Sequence, residues 1–186
     1  AGDYAIEAAG DIGAGMCLID QWIRLNSNKK YDKDGKIAKS GKINKKILKK
    51  GSKIFVKIRK AKKNSYDTKD FDLDFVRGLS LKDGAATLAE CTANELETFL
   101  GYWWLDGGIV VSGGGRKNKF LIDRLKNKNS LIGKVKLIDD CGIDGDFVES
   151  QAFAYLAIRS YLKLPISFPE TTGVRKPCTG GMVYKN

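Results

Sequence analysis

Three short segments combine carboxylates with glycines in patterns that can do chemistry. The first is Asp11-Ile12-Gly13-Ala14-Gly15. Its two glycines permit a tight turn and a close ligand approach to the backbone. An Asp at the end of a strand projects into the crevice where α/β folds bind ligands, although Asp in such a turn also serves as a helix cap. The second is Val110-Val111-Ser112-Gly113-Gly114-Gly115-Arg116-Lys117-Asn118. There an apolar strand, a glycine triplet and a helix start can aim backbone N–H groups at phosphate. It is neither a Walker loop nor a dinucleotide fingerprint, and a purely structural turn explains it nearly as well. The third is Gly142-Ile143-Asp144-Gly145-Asp146-Phe147-Val148-Glu149. Asp144 or Asp146 suits a helix cap, and negative charge at Glu149 suits a first helical turn. Capping explains less readily why Glu149 heads an apolar helix containing Ala152, Phe153, Ala154, Leu156 and Ala157.

The rest of the composition narrows the chemistry. The 186 residues include no His, which removes Ser-His-Asp and Cys-His mechanisms. Acid/base work therefore falls to carboxylates, Lys or Tyr. Cys17, Cys91, Cys141 and Cys178 are scattered without a CxxC pair, so reduced, packed thiols are expected rather than a zinc site or a disulfide framework. The net charge is +11, and 17 of the 33 basic residues lie between Lys29 and Lys69. That run lacks the interleaved aromatics of a stacking platform. It reads as a solvated lysine face, and nucleic acid is not expected as a partner. No apolar run reaches the length of a membrane span. The start, Ala1-Gly2-Asp3-Tyr4, carries no secretory signal pattern, so the expectation is a soluble cytoplasmic protein with no membrane partner.

The elements that must position these segments alternate. Tyr4 to Ala9 reads as a strand ending at Gly10-Asp11, and Met16 to Leu25 as a helix with Leu18, Ile19, Trp22 and Ile23 on one face. A polar break from Asn26 to Gly35 precedes a helix expected over Lys36 to Lys50 and ended by Gly51. Lys53 to Lys60 alternates less cleanly and reads as a strand, with Ile54, Val56 and Ile58 on one face opposite Phe55, Lys57 and Arg59. Ala85 to Leu100 reads as helix, Gly107 to Ser112 as a buried strand, and Phe120, Leu121 and Leu125 mark another helix. Val135 to Ile138 reads as strand and Phe147 to Leu162 as a long apolar helix stopped by Pro165. Such alternation indicates an α/β layer structure, and the length and 42% hydrophobic content suit one domain or one large lobe.

Taken in order, the motifs resemble the anhydro-N-acetylmuramic acid kinase family. They are Asp-x-Gly-x-Gly-x-x-Leu-Ile-Asp-x-Trp from Asp11 to Trp22, Tyr-Asp-Lys-Asp-Gly from Tyr31 to Gly35, and Ala-Thr-Leu-Ala-Glu-x-Thr-Ala from Ala86 to Ala93. Gly-Gly-Gly-x-x-Asn follows from Gly113 to Asn118, then Gly-Ile-Asp-Gly-Asp-x-x-Glu from Gly142 to Glu149, and a closing Thr172-Gly173. The resemblance covers nearly the whole chain.

It implies an α/β fold, one lobe of the actin-like, sugar kinase and Hsp70 (ribonuclease H-like) architecture, with residues 1–186 forming a single C-terminal lobe. Family members use Mg-ATP (Mg2+ with ATP) and 1,6-anhydro-N-acetylmuramic acid. They open the anhydro ring with water and phosphorylate the sugar's 6-oxygen during peptidoglycan recycling. By resemblance Asp11 matches the catalytic general base and Glu149 a substrate-binding carboxylate. Gly113, Gly114, Gly115 and Asn118 match the segment facing the nucleotide. Two departures are plain. Ile12, Ala14 and Met16 stand where the family usually has Thr, Pro and Asn, and Lys63-Asn64-Ser65-Tyr66-Asp67-Thr68-Lys69 replaces a Pro-Lys-Ser-Thr-Gly-Arg-Glu segment. The family's N-terminal half, with its Gly-Thr-Ser-x-Asp-Gly phosphate loop, has no counterpart in these residues. The resemblance thus implies a separate N-terminal lobe or a homodimer as partner. The alternative is a non-catalytic remnant, or a lobe that binds partners.

Overall fold

A computed structural model describes residues 9–61, 66–100, 108–182 and 184. The strand expected over Tyr4 to Ala9 lies outside the described residues except for Ala9. The chain divides into two compact units, Asp11–Ile143, and Asp144–Asn186 together with Ala1–Gly10.

In the larger unit the chain runs α1 (Cys17–Asn26), α2 (Lys36–Lys39), α3 (Lys45–Ala61), α4 (Leu81–Leu100), β1 (Ile109–Val111), α5 (Lys119–Lys126) and β2 (Val135–Leu137). Helix α4 is the axis, with α1, α2, α3 and α5 all packed against it. Its sequence explains why. Every residue from Gly84 to Ala93 is buried, and the small Ala85, Ala86, Ala89 and Ala93 let neighbouring helices approach on all sides.

Two apolar clusters result. One joins Leu18, Ile19, Trp22 and Ile23 of α1 to Phe55 of α3, Leu88 of α4, and Phe71, Phe75 and Val76 of the connecting segment. Phe55 meets Phe71 and Phe75 edge to face, with ring centroids 5.8 Å and 6.0 Å away, the geometry that aromatic quadrupoles favour. The other cluster sets Ala93 of α4 against Leu121, Ile122 and Leu125 of α5, with Leu131 and Val135 beside them. Strands β1 and β2 pair in parallel, with Ile109 opposite Val135 and Val111 opposite Leu137, and α5 is the crossover. This small β-α-β unit bears out the α/β alternation, but β1 is not the buried strand expected: Ile109 and Val111 pack partly on the second cluster, while Val110 on the opposite face is exposed.

Two expectations fail in the lysine-rich segment, for one reason. The helix over Lys36 to Lys50 breaks into α2 and α3, and Lys53 to Lys60 is helix rather than strand. Ile47, Leu48, Gly51, Ile54, Phe55 and Ile58 recur at helical spacing and face the core. Val56, which the strand face required to be buried, is exposed, and Phe55 on its opposite side is buried. Gly51 does not end the helix. It lies inside α3, where a Cβ would stand 2.7 Å from the Phe75 ring and 3.0 Å from Cys91 Sγ. It is glycine because the helix backbone presses onto Phe75.

The smaller unit holds α6 (Val148–Tyr161) and α7 (Pro169–Thr172), with an antiparallel bridge between Ser167 and Cys178. Arg159 organises it, donating from Nε to the Pro165 carbonyl at 2.7 Å while its guanidinium lies over Tyr155 and Phe168. Helix α6 falls within the span expected to be a long apolar helix, yet none of its residues is buried. Phe153, Tyr155, Ile158 and Tyr161 are all more than half exposed. No described helix is long and apolar enough to cross a membrane.

Candidate functional site

The Asp11–Gly15 loop is held from behind by α4. Gly15 adopts φ +54°, a conformation open to glycine at little cost, and its carbonyl accepts a hydrogen bond from Thr92 Oγ1 at 3.1 Å. Gly13 rests against Glu95, whose carboxylate is ion-paired with Arg59. Burial pushes the Glu95 carboxyl above its ordinary range, with Arg59 opposing the shift. In front of this support, Asp11 is exposed and its Oδ2 accepts from the Tyr66 N–H at 3.0 Å. Among the described residues its other carboxylate oxygen accepts no hydrogen bond, and it is open to a ligand or a water.

The glycine triplet forms an open corner. Gly113 has φ +76° and ψ −177°, a region essentially reserved for glycine. A Cβ at Gly113 or Gly114 would meet nothing within 4 Å, so backbone there is approachable. Arg116 locks the corner from inside the protein. Only 6% exposed, it donates from Nε and Nη2 to the two oxygens of Asp139 and from Nη1 to the Gly113 carbonyl. Gly115 faces Met16, whose Cγ would lie 3.3 Å from a Cβ at Gly115. This contact joins the glycine corner to the loop that carries Asp11.

Asn118 ends the corner as the N-cap of α5, its Oδ1 accepting from the Leu121 N–H at 3.0 Å. The cap leaves Nδ2 buried without a hydrogen-bond partner among the described residues, and Asp20 Oδ1 on α1 is in the same state. Both residues line a cavity of about 650 Å³, with Met16, Tyr31, Gly114 and Gly115 also in its walls. Burial raises the Asp20 carboxyl above its usual range; Arg24 opposes this and Asp32 adds to it. Asp32 is itself committed to structure, its two oxygens accepting from the Ile37 and Ala38 N–H groups at 2.8 Å and 2.9 Å.

Of the residues singled out from sequence, Gly114, Gly115 and Asn118 share one cavity wall and Gly113 stands at its corner. Asp11 is linked to them through Gly15 and Met16. Glu149 belongs to the smaller unit, exposed in the first turn of α6. The capping expected of Asp144 or Asp146 is not what starts α6: Phe147 occupies the N-cap without a side-chain bond, and Asp144 Oδ1 accepts from the Asp146 N–H. Sequence reasoning missed Asp20 and Arg116 as site-building groups. Asp20 had a legible signal, since it lies four residues after Met16 and so on the same side of α1. Arg116 had none, because its partner is 23 positions away. The cysteines divide: Cys91 is buried and Cys17 partly so, whereas Cys141 and Cys178 are exposed and do not serve packing. Among the described residues no group of acidic or sulfur side chains is arranged to hold a metal.

Comparison with known proteins agrees with the motif order. The family model for anhydro-N-acetylmuramic acid kinase matches residues 5–186. A protein of Pelagibacter ubique named anhydro-N-acetylmuramic acid kinase is 46% identical over 181 residues, covering 95% of this chain and 48% of the relative. Relatives of the same name from Zymomonas mobilis and Rhodospirillum rubrum are 36% and 39% identical, again covering 94% of this chain but 47% and 46% of their own lengths. The chain therefore spans about half the length of the curated relatives it matches. With a match that runs over nearly every residue, the chain belongs to the anhydro-N-acetylmuramic acid kinase family.

Proposed function

We propose that this chain is the C-terminal lobe of an ATP-dependent kinase that opens 1,6-anhydro-N-acetylmuramic acid with water and phosphorylates its 6-oxygen. The observation that carries the proposal is the contact of Met16 with Gly115, which sets the Asp11 loop beside an approachable glycine corner. A carboxylate and a phosphate cradle must be neighbours if one site is to hydrate a sugar and transfer phosphate to it.

Asp11 takes the proton of a water as that water attacks the anomeric carbon. The bond from that carbon to the 6-oxygen breaks, and the 6-oxygen becomes the acceptor for the γ-phosphoryl group. The free oxygen of Asp11 holds the water while the Tyr66 N–H fixes the other oxygen. Backbone donors at Gly114 and Gly115 meet phosphate charge, since positioning and charge stabilisation dominate phosphoryl transfer. Mg2+ bound with ATP would neutralise phosphate charge, and since no acidic group among the described residues is arranged to hold a metal, it would arrive with the nucleotide. Glu149 binds the sugar, as the family resemblance implies. The fold is then one lobe of the actin-like architecture and works in the cytoplasm with an N-terminal lobe, supplied by a separate chain or by a longer form of this one.

The experiment is reconstitution. The chain is combined with the N-terminal half of the Pelagibacter ubique relative, Mg-ATP and the anhydro sugar, and the sugar phosphate is followed by mass spectrometry. Product formation that Asp11→Asn abolishes is expected. A folded assembly that makes no product would overturn the proposal in favour of a second reading, a partner-binding lobe without catalysis. The replacement of family polar groups by Ile12, Ala14 and Met16 is what favours that second reading.

A further inference from the structure

Helix α4 carries three threonines, and their hydroxyls serve different ends. Thr98 follows the habit of a helical threonine and donates to its own helix, to the Asn94 carbonyl at 2.8 Å. Thr87 Oγ1 accepts from the Asn44 N–H at 3.0 Å and so fastens the approach to α3. Thr92 is buried, yet its hydroxyl leaves the helix and donates to the Gly15 carbonyl, 77 positions away in the chain. Glu95 follows three residues later and so shares that face of α4. It sets its Cβ 3.8 Å from where a Cβ on Gly13 would stand. One turn of α4 thus meets the Asp11–Gly15 loop at two points, and Arg59 of α3 anchors that turn through its ion pair with Glu95. The loop itself belongs to neither helix nor strand. Among the described residues Thr92 is the one side chain that donates to its backbone. A glycine at φ +54° does not hold its own conformation, because glycine reaches many others at little cost.

We propose that Thr92 is a positioning residue for the reaction, its hydroxyl holding Gly15 and thereby fixing Asp11 relative to the glycine corner. The inference rests on the kinase reading above. Gly15 stands between the two halves of that geometry. Asp11 lies four residues before it, and the next residue, Met16, meets Gly115. Clamping the Gly15 carbonyl to a buried helix therefore sets both at once. Thr92 acts through the loop and touches no reacting atom. A carboxylate that must hold a water on the anomeric carbon tolerates little displacement, since an error of about 1 Å can cost on the order of 100-fold in rate. Valine has the shape of threonine without its hydroxyl. It would leave the Gly15 carbonyl facing a methyl group, so the loop would shift to recover a donor for that oxygen. Serine keeps the donor and loses only the methyl, which separates the hydrogen bond from the packing.

The unliganded chain gives the first test. The Cys17 amide is protected by its bond to the Ala14 carbonyl at 3.0 Å, at the end of the loop. Its hydrogen exchange, followed by NMR, should quicken by about tenfold in Thr92→Val, the loss of one hydrogen bond. In Thr92→Ser it should stay at the parental rate. The second test is reconstitution with the N-terminal half of the Pelagibacter ubique relative, Mg-ATP and the anhydro sugar. Per folded assembly, Thr92→Val should lower kcat by about 10- to 100-fold. KM for each substrate should stay within about threefold of the parent, and Thr92→Ser should recover kcat to the same margin. Thr92→Ala places no methyl on the carbonyl and should show the same losses, so it carries the test if Thr92→Val does not fold. Parental kcat in folded Thr92→Val or Thr92→Ala assemblies would overturn the inference. So would a lowered melting temperature with exchange and turnover unchanged, the result expected of a threonine that only packs. A kcat lost equally in Thr92→Ser would overturn it too, by giving the effect to the methyl group. A parental assembly that makes no product overturns the kinase reading and this inference with it, whereas an active parent beside unimpaired variants overturns the inference alone.

Discussion

Arg116 and Asp139 are joined by a two-pronged ion pair, Nε to Oδ2 at 2.7 Å and Nη2 to Oδ1 at 3.2 Å, that ties the glycine corner to the turn following β2. The guanidinium is 6% exposed on its side chain and the carboxylate 43%. Removing the carboxylate takes two charge-assisted hydrogen bonds from a buried guanidinium. Asp139→Ala is therefore expected to destabilise the larger unit by about 2 kcal/mol, read from urea unfolding. Arg116→Lys keeps the charge but loses the fork, and should weaken tripolyphosphate binding more than it lowers stability.

Asp11 is exposed, and the hydrogen bond that its carboxylate accepts from the Tyr66 N–H survives amidation. Asp11→Asn should leave stability within about 0.5 kcal/mol of the parent. In the reconstituted enzyme it should lower kcat by roughly 100-fold or more. An active Asp11→Asn enzyme would remove Asp11 from the base role.

Gly51→Ala pits helix propensity against packing. Ala is favoured over Gly in a helix by about 1 kcal/mol, but its Cβ would stand 2.7 Å from the Phe75 ring and 3.0 Å from Cys91 Sγ. Overpacking of this kind costs about 1–3 kcal/mol, so a net loss of stability is expected. If Gly51 were merely ending a helix, Ala would be neutral or better.

Two buried glutamates on α4 should titrate stability in opposite directions. Burial alone would raise the Glu90 carboxyl, but hydrogen bonds from Arg124 and Lys128 outweigh it and hold it below the usual value. Its contribution is thus present above the unfolded-state value and lost as pH falls through the folded one. Glu95 lies above the usual range because burial exceeds the pull of Arg59. Its contribution is present at low pH and lost as pH rises through the folded value. Urea titrations between about pH 3.5 and pH 7 should find Glu90→Gln flatter than the parent on the acid side. Glu95→Gln should gain on the parent as pH rises.

Thiol labelling separates the cysteines. Burial pushes Cys91 up to about 12 and also raises the half-buried Cys17, while Cys141 and Cys178 are exposed. Iodoacetamide at mildly alkaline pH should modify Cys141 and Cys178 in the folded chain, and Cys91 only after denaturation, as read by peptide mass spectrometry.

Helices α1, α4 and α5 and the two strands were legible because their apolar residues repeat at spacings that local geometry imposes. Met16 to Leu25 and Ala85 to Leu100 differ from the observed helices by a few residues at most. The lysine-rich segment was misread where two periods overlap. Ile54, Val56 and Ile58 satisfy a strand, yet Ile47, Gly51, Phe55 and Ile58 satisfy a helix, and only the Phe75 and Phe71 rings packed on Phe55 decide between them.

By itself the sequence determined the family, through the order and spacing of its motifs, and left acid/base work within these 186 residues to carboxylates, Lys and Tyr. It also marked Asp11 and the glycine triplet, since glycines beside a strand end announce a backbone that must turn sharply. Tertiary structure alone decided which distant groups meet: Thr92 on Gly15, Arg116 on Asp139, and Asp20 and Asn118 around one cavity. The physical reason is that periodicity and turn chemistry act over a few residues. Partnership between groups 23 to 98 positions apart depends on how helices stack around α4, and no local spacing records it.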